Sequence, residues 1–468
     1  MAHLIVCCDG LWHRAGGNGD PSPTTNVTRL YQALADTTAQ GEPQRRVLIA
    51  GPGRPPRGRP WGAPTDLLGP SVLAGLSWLG ETFQPGDRIF LVGLSQGATI
   101  ARTLAALIVR YGLPTARHLE TGPTLLAAYR ARTPLPEGCP PPYPADIHFL
   151  GVWETLGPLG IPLDSALWGI GAFPTRETFA DDRLSDRVRH ACQAFALDET
   201  RSPPAPWSNV AARRTVSQLW FPGTHEDVGG ALGQTSLSNA ALAWMMEQAA
   251  ACGLALRGDP RPVEGGPLPI RASQNGAPRA VPCFADPQAP LHPLARARHT
   301  APPDPTTPYW PTRILAAGET QRVEVDAACP WTPTGLWLEA GRLYRVEATG
   351  RWHLGLLTCG PGGISDNGSH TVTPGQLVSH ALATLGRVWH HHMGQSLPPL
   401  PGTRRAPTLP WGSLVGHIPG DDGGETLALG ATGMVEPRTA GYLYVFANTA
   451  RGLSGPRSGS LTLDITAL

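Results

Sequence analysis

Ser95 stands in Gly93-Leu94-Ser95-Gln96-Gly97, between a short apolar run, Ile89 to Val92, and a helix-forming run, Ala98 to Val109. A serine flanked by glycines on a strand-to-helix turn is a nucleophile elbow. Glycine at 93 and 97 removes side chains that would clash where the turn folds strand against helix. Ser95 then sits at the strand's carboxyl end, beside a helix N-terminus, and the backbone N–H of Gln96 can point at a developing oxyanion. The pentapeptide alone is a weak signal in a chain with 56 glycines among 468 residues, and the order strand, elbow, helix is what gives it content. The plainer alternative is a glycine-rich turn with a solvated serine.

A nucleophilic serine needs a base and a third group to orient the base. Two further apolar runs end in such groups. Ile147 to Val152 leads into Trp153-Glu154-Thr155, and Val216 to Phe221 leads into Pro222-Gly223-Thr224-His225-Glu226-Asp227. In this reading Ser95 attacks an acyl carbonyl, His225 takes its proton, and Glu154 holds the imidazole tautomer. Asp227, only two residues from His225, is read as a supporting residue whose carboxylate accepts backbone N–H groups. Asp181, Asp182 and Asp198 are rival acids, read as caps or ion-pair members. The first apolar run, Leu4 to Cys8, ends in Asp9-Gly10-Leu11-Trp12. Gly10 and Leu11 are candidates for a second oxyanion N–H, and Asp9 for a supporting role.

The elements that must position these groups alternate. Strands are expected at Leu4 to Cys8, Val47 to Ala50, Ile89 to Val92, Ile147 to Val152 and Val216 to Phe221. Helices are expected from Thr25 or Asn26, over Leu67 to Leu79, from Ala98, and over Ser238 to Cys252. Alternating strands and helices give an α/β fold with a doubly wound parallel sheet. Ligands of such sheets bind at the carboxyl ends of the strands, where Ser95, Glu154 and His225 all fall. Their chain order, Ser, acid, His, is that of α/β-hydrolases.

Composition narrows the partners. The net charge is +1, and all the basic side chains are arginines, which leaves no electrostatic case for nucleic acid or an anionic membrane. The eight cysteines show no C-x-x-C spacing and read as free thiols; Cys7 and Cys8, adjacent on a strand, face opposite sides. The amino terminus reads as a first strand rather than a signal peptide, and there is no run of 18 apolar residues. The expected location is the cytoplasm, or outside the cell as an effector secreted without a signal peptide. The chemistry calls for no cofactor. His390-His391-His392 reads as a polar loop, because three successive histidines cannot all face one ion, and Asp421-Asp422-Gly423-Gly424 reads as a hairpin turn.

Residues 1–257 resemble a bacterial family of α/β-hydrolase-like domains (DUF2235) that includes the Tle1-type phospholipase effectors of type VI secretion. The resemblance lies in Cys8-Asp9-Gly10-Leu11-Trp12, Thr25-Asn26-Val27, Val92 to Ala98 with Ala101-Arg102, Phe149 to Gly157, Ala196-Leu197-Asp198-Glu199, Trp220 to Gly230 and Leu237-Ser238. It implies a Ser–acid–His hydrolase, with Ser95, Glu154 and His225 in those roles and an ester or lipid substrate. The chain departs from the family in having Glu at 154 for the usual Asp, Gln at 96 for Arg, and Leu at 11 for Thr.

Residues 258–318, rich in Pro, Gly and Arg, are expected to be a linker that wraps the surface or is partly disordered. From 319 to 468 short strands separated by glycine-bearing turns predict an all-β sandwich. Leu343 to Trp352, Leu414 to Gly430 and Gly441 to Ile465 resemble a galactose-lectin-type (LecA-like) module. That resemblance implies acidic or Asn ligands for calcium and sugar where this chain has Thr449, Pro456 and Arg457. Calcium binding is therefore not expected, and the module is read as a structural or targeting unit for a lipid surface, glycan or secretion-system partner. The whole reads as a serine esterase, lipase or phospholipase forming an acyl-enzyme. Two alternatives are a non-catalytic surface- or glycan-binding protein and a cytoplasmic non-lipid esterase or acyltransferase.

Overall fold

The computed structural model describes residues 1–10, 24–51, 68–155, 183–200, 206–207, 215–230, 236–258, 270, 276–354, 357–364, 404–420, 423–449 and 457–468. Leu11, Asp181, Asp182, the His390–His392 run, Asp421, Asp422 and Pro456 lie outside the described residues.

Six strands, β1 (His3–Cys8), β2 (Gln44–Ile49), β3 (Arg88–Leu94), β4 (Ile147–Trp153), β5 (Val188–Ala196) and β6 (Val216–Phe221), make one parallel sheet in the order β2-β1-β3-β4-β5-β6. Helices α1 (Asn26–Ala33), α2 (Gly69–Thr82), α3 (Gln96–Tyr111), α4 (Gly122–Ala131), α5 (His225–Gly229) and α6 (Ser236–Ala251) accompany it. Every residue of β1 is buried, as its unbroken apolar run requires of a strand covered on both faces. Leu4, Val6 and Cys8 pack in one layer with α2, α3 and α4; Ile5 and Cys7 pack in the other with α1 and α6. β5 is a strand the sequence reading does not contain. Arg189, His190 and Gln193 interrupt its apolar pattern, although Gln193 is fully buried. The strand order reverses between β1 and β3, so the ends of those two strands flank the crevice that doubly wound sheets use for ligands.

Beyond the parallel sheet, the described residues hold helix α7 (Pro293–Thr300) and strands β7 (Thr320–Asp326), β8 (Thr332–Leu338), β9 (Tyr344–Leu354), β10 (Leu357–Cys359), β11 (Leu414–Ile418), β12 (Glu425–Ala428), β13 (Thr432–Val435), β14 (Gly441–Ala447) and β15 (Arg457–Ala467). They form two antiparallel sheets, β10-β9-β15-β7 with β13 also on β9, and β12-β11-β14-β8. Alternate residues of β9 and β15 turn inward to a core that holds Tyr344 and the fully buried Trp352.

The segment read as a surface linker is, in its described part, built into the molecule. Residues 290–292 pair alongside the edge strand β6 through Trp220 N–H to Pro290 O and His292 N–H to Trp220 O, both 2.9 Å. Val281, Phe284, Leu291 and Ala295 share one apolar cluster with Phe195 and Trp220 of the parallel sheet and Tyr442 and Tyr444 of the sandwich. Phe284 stacks on Trp310 at 6.0 Å, and its N–H donates to the Tyr442 hydroxyl at 3.0 Å. Pro and Gly thus mark a chain that follows an irregular path, and its buried aromatics hold the two halves together.

Candidate active site

Ser95 caps α3 with φ 59° and ψ −119°, a backbone state that L-residues rarely hold. The turn is possible because of its neighbours. A Cβ at Gly93 would lie 2.3 Å from Gly97 O, and one at Gly97 would lie 2.0 Å from Cys8 O. One at Gly10 would lie 1.8 Å from Leu94 O and 2.8 Å from Gln96 N. Glycine at these places lets the ends of β1 and β3 and the start of α3 meet backbone to backbone. Ser95 N–H donates to Trp153 O at 3.0 Å, which ties the elbow to the end of β4. Ser95 is buried, 5% exposed.

Glu154 follows β4, also with positive φ, 45°, and is buried. Its Oε2 meets His225 Nδ1 at 3.2 Å, and its Oε1 accepts from Ala196 N–H at 2.6 Å. An ionised carboxylate only accepts, so Nδ1 carries the proton and Nε2 is the basic nitrogen. The Arg279 guanidinium closes on the same carboxylate from the other side, with Nη1 to Oε1 and Nη2 to Oε2 both at 3.0 Å. Burial would push the Glu154 carboxyl up; the Arg279 charge and then the His225 contact outweigh it and hold the carboxyl below its ordinary range.

His225 opens α5. Thr224 and Asp227 form a capping box there: Asp227 Oδ2 accepts from Thr224 N–H and from its Oγ1, each at 2.9 Å. Asp227 is occupied with the turn, as a loop-stabilising carboxylate would be. Glu199 Oε2 accepts from His225 N–H at 3.2 Å. Asn26 pins this helix from α1, donating to Val228 O at 2.9 Å and to Ser238 O at 3.0 Å. Among the described residues, Ser95 Oγ makes no hydrogen bond with the imidazole.

Asp9 accepts from Gly10 N–H at 2.8 Å and from the hydroxyls of Thr25 and Thr28 at 3.2 and 3.1 Å, fixing the end of β1 to the cap of α1. The Gly10 N–H is therefore engaged by Asp9, while Gln96 begins α3 directly behind Ser95. Asp198, a rival acid in the sequence, faces away from this cluster. It accepts from Gly223 N–H at 2.7 Å, Tyr309 Oη at 2.8 Å and Trp310 Nε1 at 3.0 Å, and burial pushes its carboxyl up to about 6. Among the described residues no three His, Cys, Asp or Glu side chains gather as a metal site. Thr449 is buried, and Arg457 begins β15.

Sequence reasoning named Ser95, Glu154 and His225 as candidates and did not name Asn26, Glu199 and Arg279 as site residues, which contact this cluster or pin its helix. Asn26 and Glu199 lie in the blocks Thr25-Asn26-Val27 and Ala196-Leu197-Asp198-Glu199, which was the available signal. Arg279 lies in the Pro/Gly/Arg-rich stretch, where nothing distinguishes it from its fellow arginines.

An elbow serine at the reversal point of a doubly wound parallel sheet, with an acid past the end of β4 and a histidine past the end of β6, has the layout of an α/β-hydrolase domain. The chain belongs to the family of Tle1-like phospholipase effectors of type VI secretion: the model of that family's catalytic domain matches residues 2–140 and 137–248. Over 241 residues the chain is 26% identical to an uncharacterized protein of Saccharomyces cerevisiae, covering 42% of this chain and 31% of that one. It thus spans less than a third of that relative's length. Among solved structures, a Tle1 effector bound to the VgrG spike of the type VI secretion system is 12% identical, over 96% of this chain and 69% of that one, with a TM-score of 0.29. The N-terminal domain of EclA, a PllA-like lectin, is 16% identical over 32% of this chain and 96% of that one, with a TM-score of 0.20. Both superpositions are loose, and the family assignment rests on the sequence match.

Proposed function

We propose that the chain is a serine hydrolase that cleaves carboxylic ester bonds of lipids, phospholipids foremost, through Ser95, Glu154 and His225. The observation that carries this reading is the strained Ser95 elbow at the sheet's reversal point together with the buried Glu154–His225 contact of 3.2 Å. His225 Nε2 takes the Ser95 proton as Oγ attacks the ester carbonyl. The tetrahedral oxyanion is met by the N–H of Gln96 at the positive end of α3; of the other candidates, the Gly10 N–H is taken by Asp9. Collapse releases the alcohol with the proton from His225 and leaves an acyl-serine, which water attacks by the same route in reverse. Glu154 keeps Nδ1 protonated and offsets the imidazolium charge. Preference for phospholipid comes from the family, and so does delivery to a target cell by a secretion system. In that setting the sandwich positions the enzyme on a lipid assembly, a glycan or a component of the secretion apparatus. Among the described residues no helix is long and apolar enough to cross a membrane.

The test is labelling with a fluorophosphonate probe, followed by hydrolysis of micellar phospholipid and of short soluble esters. Labelling of wild type that Ser95→Ala and His225→Ala both abolish, with a rate that rises on micelles, supports the reading. A folded wild type that takes no label removes it. Label with hydrolysis of soluble esters alone restricts it to a non-lipid esterase.

A further inference from the structure

The family match ends at residue 248, yet the buried carboxylate of the triad is completed by a residue 31 positions further on. Arg279 is 5% exposed, lies against Glu154 in a two-pronged pair, and gives Ala196 O a further hydrogen bond at 3.0 Å. Ala196 N–H in turn donates to Glu154 Oε1, so guanidinium, carboxylate and the end of β5 close on one another. Arg279 is itself anchored. Two residues on, Val281 enters the apolar cluster shared with the sandwich, and Phe284 is hydrogen-bonded to Tyr442.

We propose that Arg279 is a positioning residue of the active site, supplied by the segment that joins the two halves, and that it fixes the orientation and the charge of Glu154 for His225. The proposal rests on the serine-hydrolase reading above. The physical need is plain. A carboxylate buried at a positive-φ position is costly to ionise without a partner, and a neutral Glu154 cannot stabilise the imidazolium. Glu is one methylene longer than the Asp usual in the family, so its carboxyl group has one more torsion to restrain. The guanidinium fork fixes both oxygens at once, leaving Oε2 aimed at Nδ1. Removing the positive charge favours the protonated form of Glu154, so the acid limb of the pH profile moves upward.

The experiment measures kcat and KM of the full-length chain on a soluble ester across pH, with fluorophosphonate labelling and circular dichroism, for wild type, Arg279→Met and Arg279→Lys. Arg279→Met is expected to lower kcat/KM by roughly 10- to 100-fold, the range typical of residues that orient a site ligand, with the acid limb shifted to higher pH. Arg279→Lys, which keeps the charge and loses the fork, is expected to hold the limb in place and recover part of kcat. A folded Arg279→Met with the wild-type rate and limb overturns the proposal while leaving the labelled Ser95 reading intact. If Arg279→Met does not fold, Arg279→Lys decides: a folded Lys variant with wild-type kcat overturns the proposal, and a reduced kcat at constant KM supports it. Absence of label on folded wild type overturns both readings together.

Discussion

Ser95 and Glu154 both stand just past a strand with positive φ, and they are held there by opposite means. The elbow is nearly self-contained. Gly93, Gly97 and the helix that starts at Gln96 lie within five residues of one another, and from elsewhere come the end of β1, with Gly10, and the Trp153 carbonyl at the end of β4. The acid has almost no local support. Its two oxygens are met by His225 from after β6, by the backbone of Ala196 and by Arg279 from beyond the parallel sheet. The proposed nucleophile is positioned by steric exclusion and the proposed acid by charge. Damage to the first should therefore appear in activity or local packing. Damage to the second should appear in activity, stability and pH dependence together.

Substitutions can break this contrast. The largest effect is expected from Ser95→Ala, which removes the proposed nucleophile and should lower kcat by roughly 10⁶-fold, the loss seen for triad serines elsewhere, with little change in Tm. Glu154→Gln should cost roughly 10⁴-fold in kcat through loss of the correct tautomer. It should also lower Tm, because Arg279 is left buried against a neutral amide. Should thermal melts show the same Tm for both variants, the charge-based account of Glu154 is wrong.

Packing effects come next. Gly97→Ala forces a methyl against the Cys8 carbonyl, where a Cβ would lie 2.0 Å from the oxygen. A loss of about 3 kcal/mol in denaturant unfolding is expected, near the upper end for single substitutions. Ser95→Gly should be more stable than Ser95→Ala by about 1 kcal/mol, because glycine adopts φ 59° without strain. Equal stability of those two variants would mean that the elbow stores no strain.

A pH-dependent effect belongs to the joint between the halves. With the Asp198 carboxyl pushed up to about 6 in the fold, against an ordinary value near 4, the native state holds a proton that the unfolded chain has released. Its contribution to stability is present below pH 4 and is lost as pH rises through about 6. Asp198→Asn should flatten that part of the Tm-versus-pH curve, and an unchanged slope would assign it to other groups.

Much of the candidate site is legible in the order of the amino acids. The strand ends carrying Ser95, Glu154 and His225 stand out because buried parallel strands are continuous apolar runs, and a polar residue just past such a run marks the functional edge of the sheet. β5 is hidden because Arg189 and His190 lie at its less covered end and Gln193 is buried by tertiary contacts, so its periodicity is mixed. Asp198 illustrates the converse. A carboxylate three residues past Phe195 could have been a triad member, and only folding turns it toward Tyr309 and Trp310.

By itself the sequence determined the alternation of strands and helices, the elbow, and the two polar groups that follow later strands, all set by interactions within about ten residues. It also determined the change to short strands beyond residue 319, since glycine turns and two-residue periodicity are local signals. What only the tertiary structure decided is how the stretch between 258 and 318 is used. Proline, glycine and arginine there predict irregular backbone and nothing more. Whether such backbone stays at the surface or is buried depends on surfaces distant in sequence: the edge of β6, the face carrying Tyr442 and Tyr444, and a carboxylate that needs a counter-charge. A guanidinium's partner 125 residues away leaves no periodic trace in the chain, and Arg279 became distinguishable only when folding brought it to Glu154.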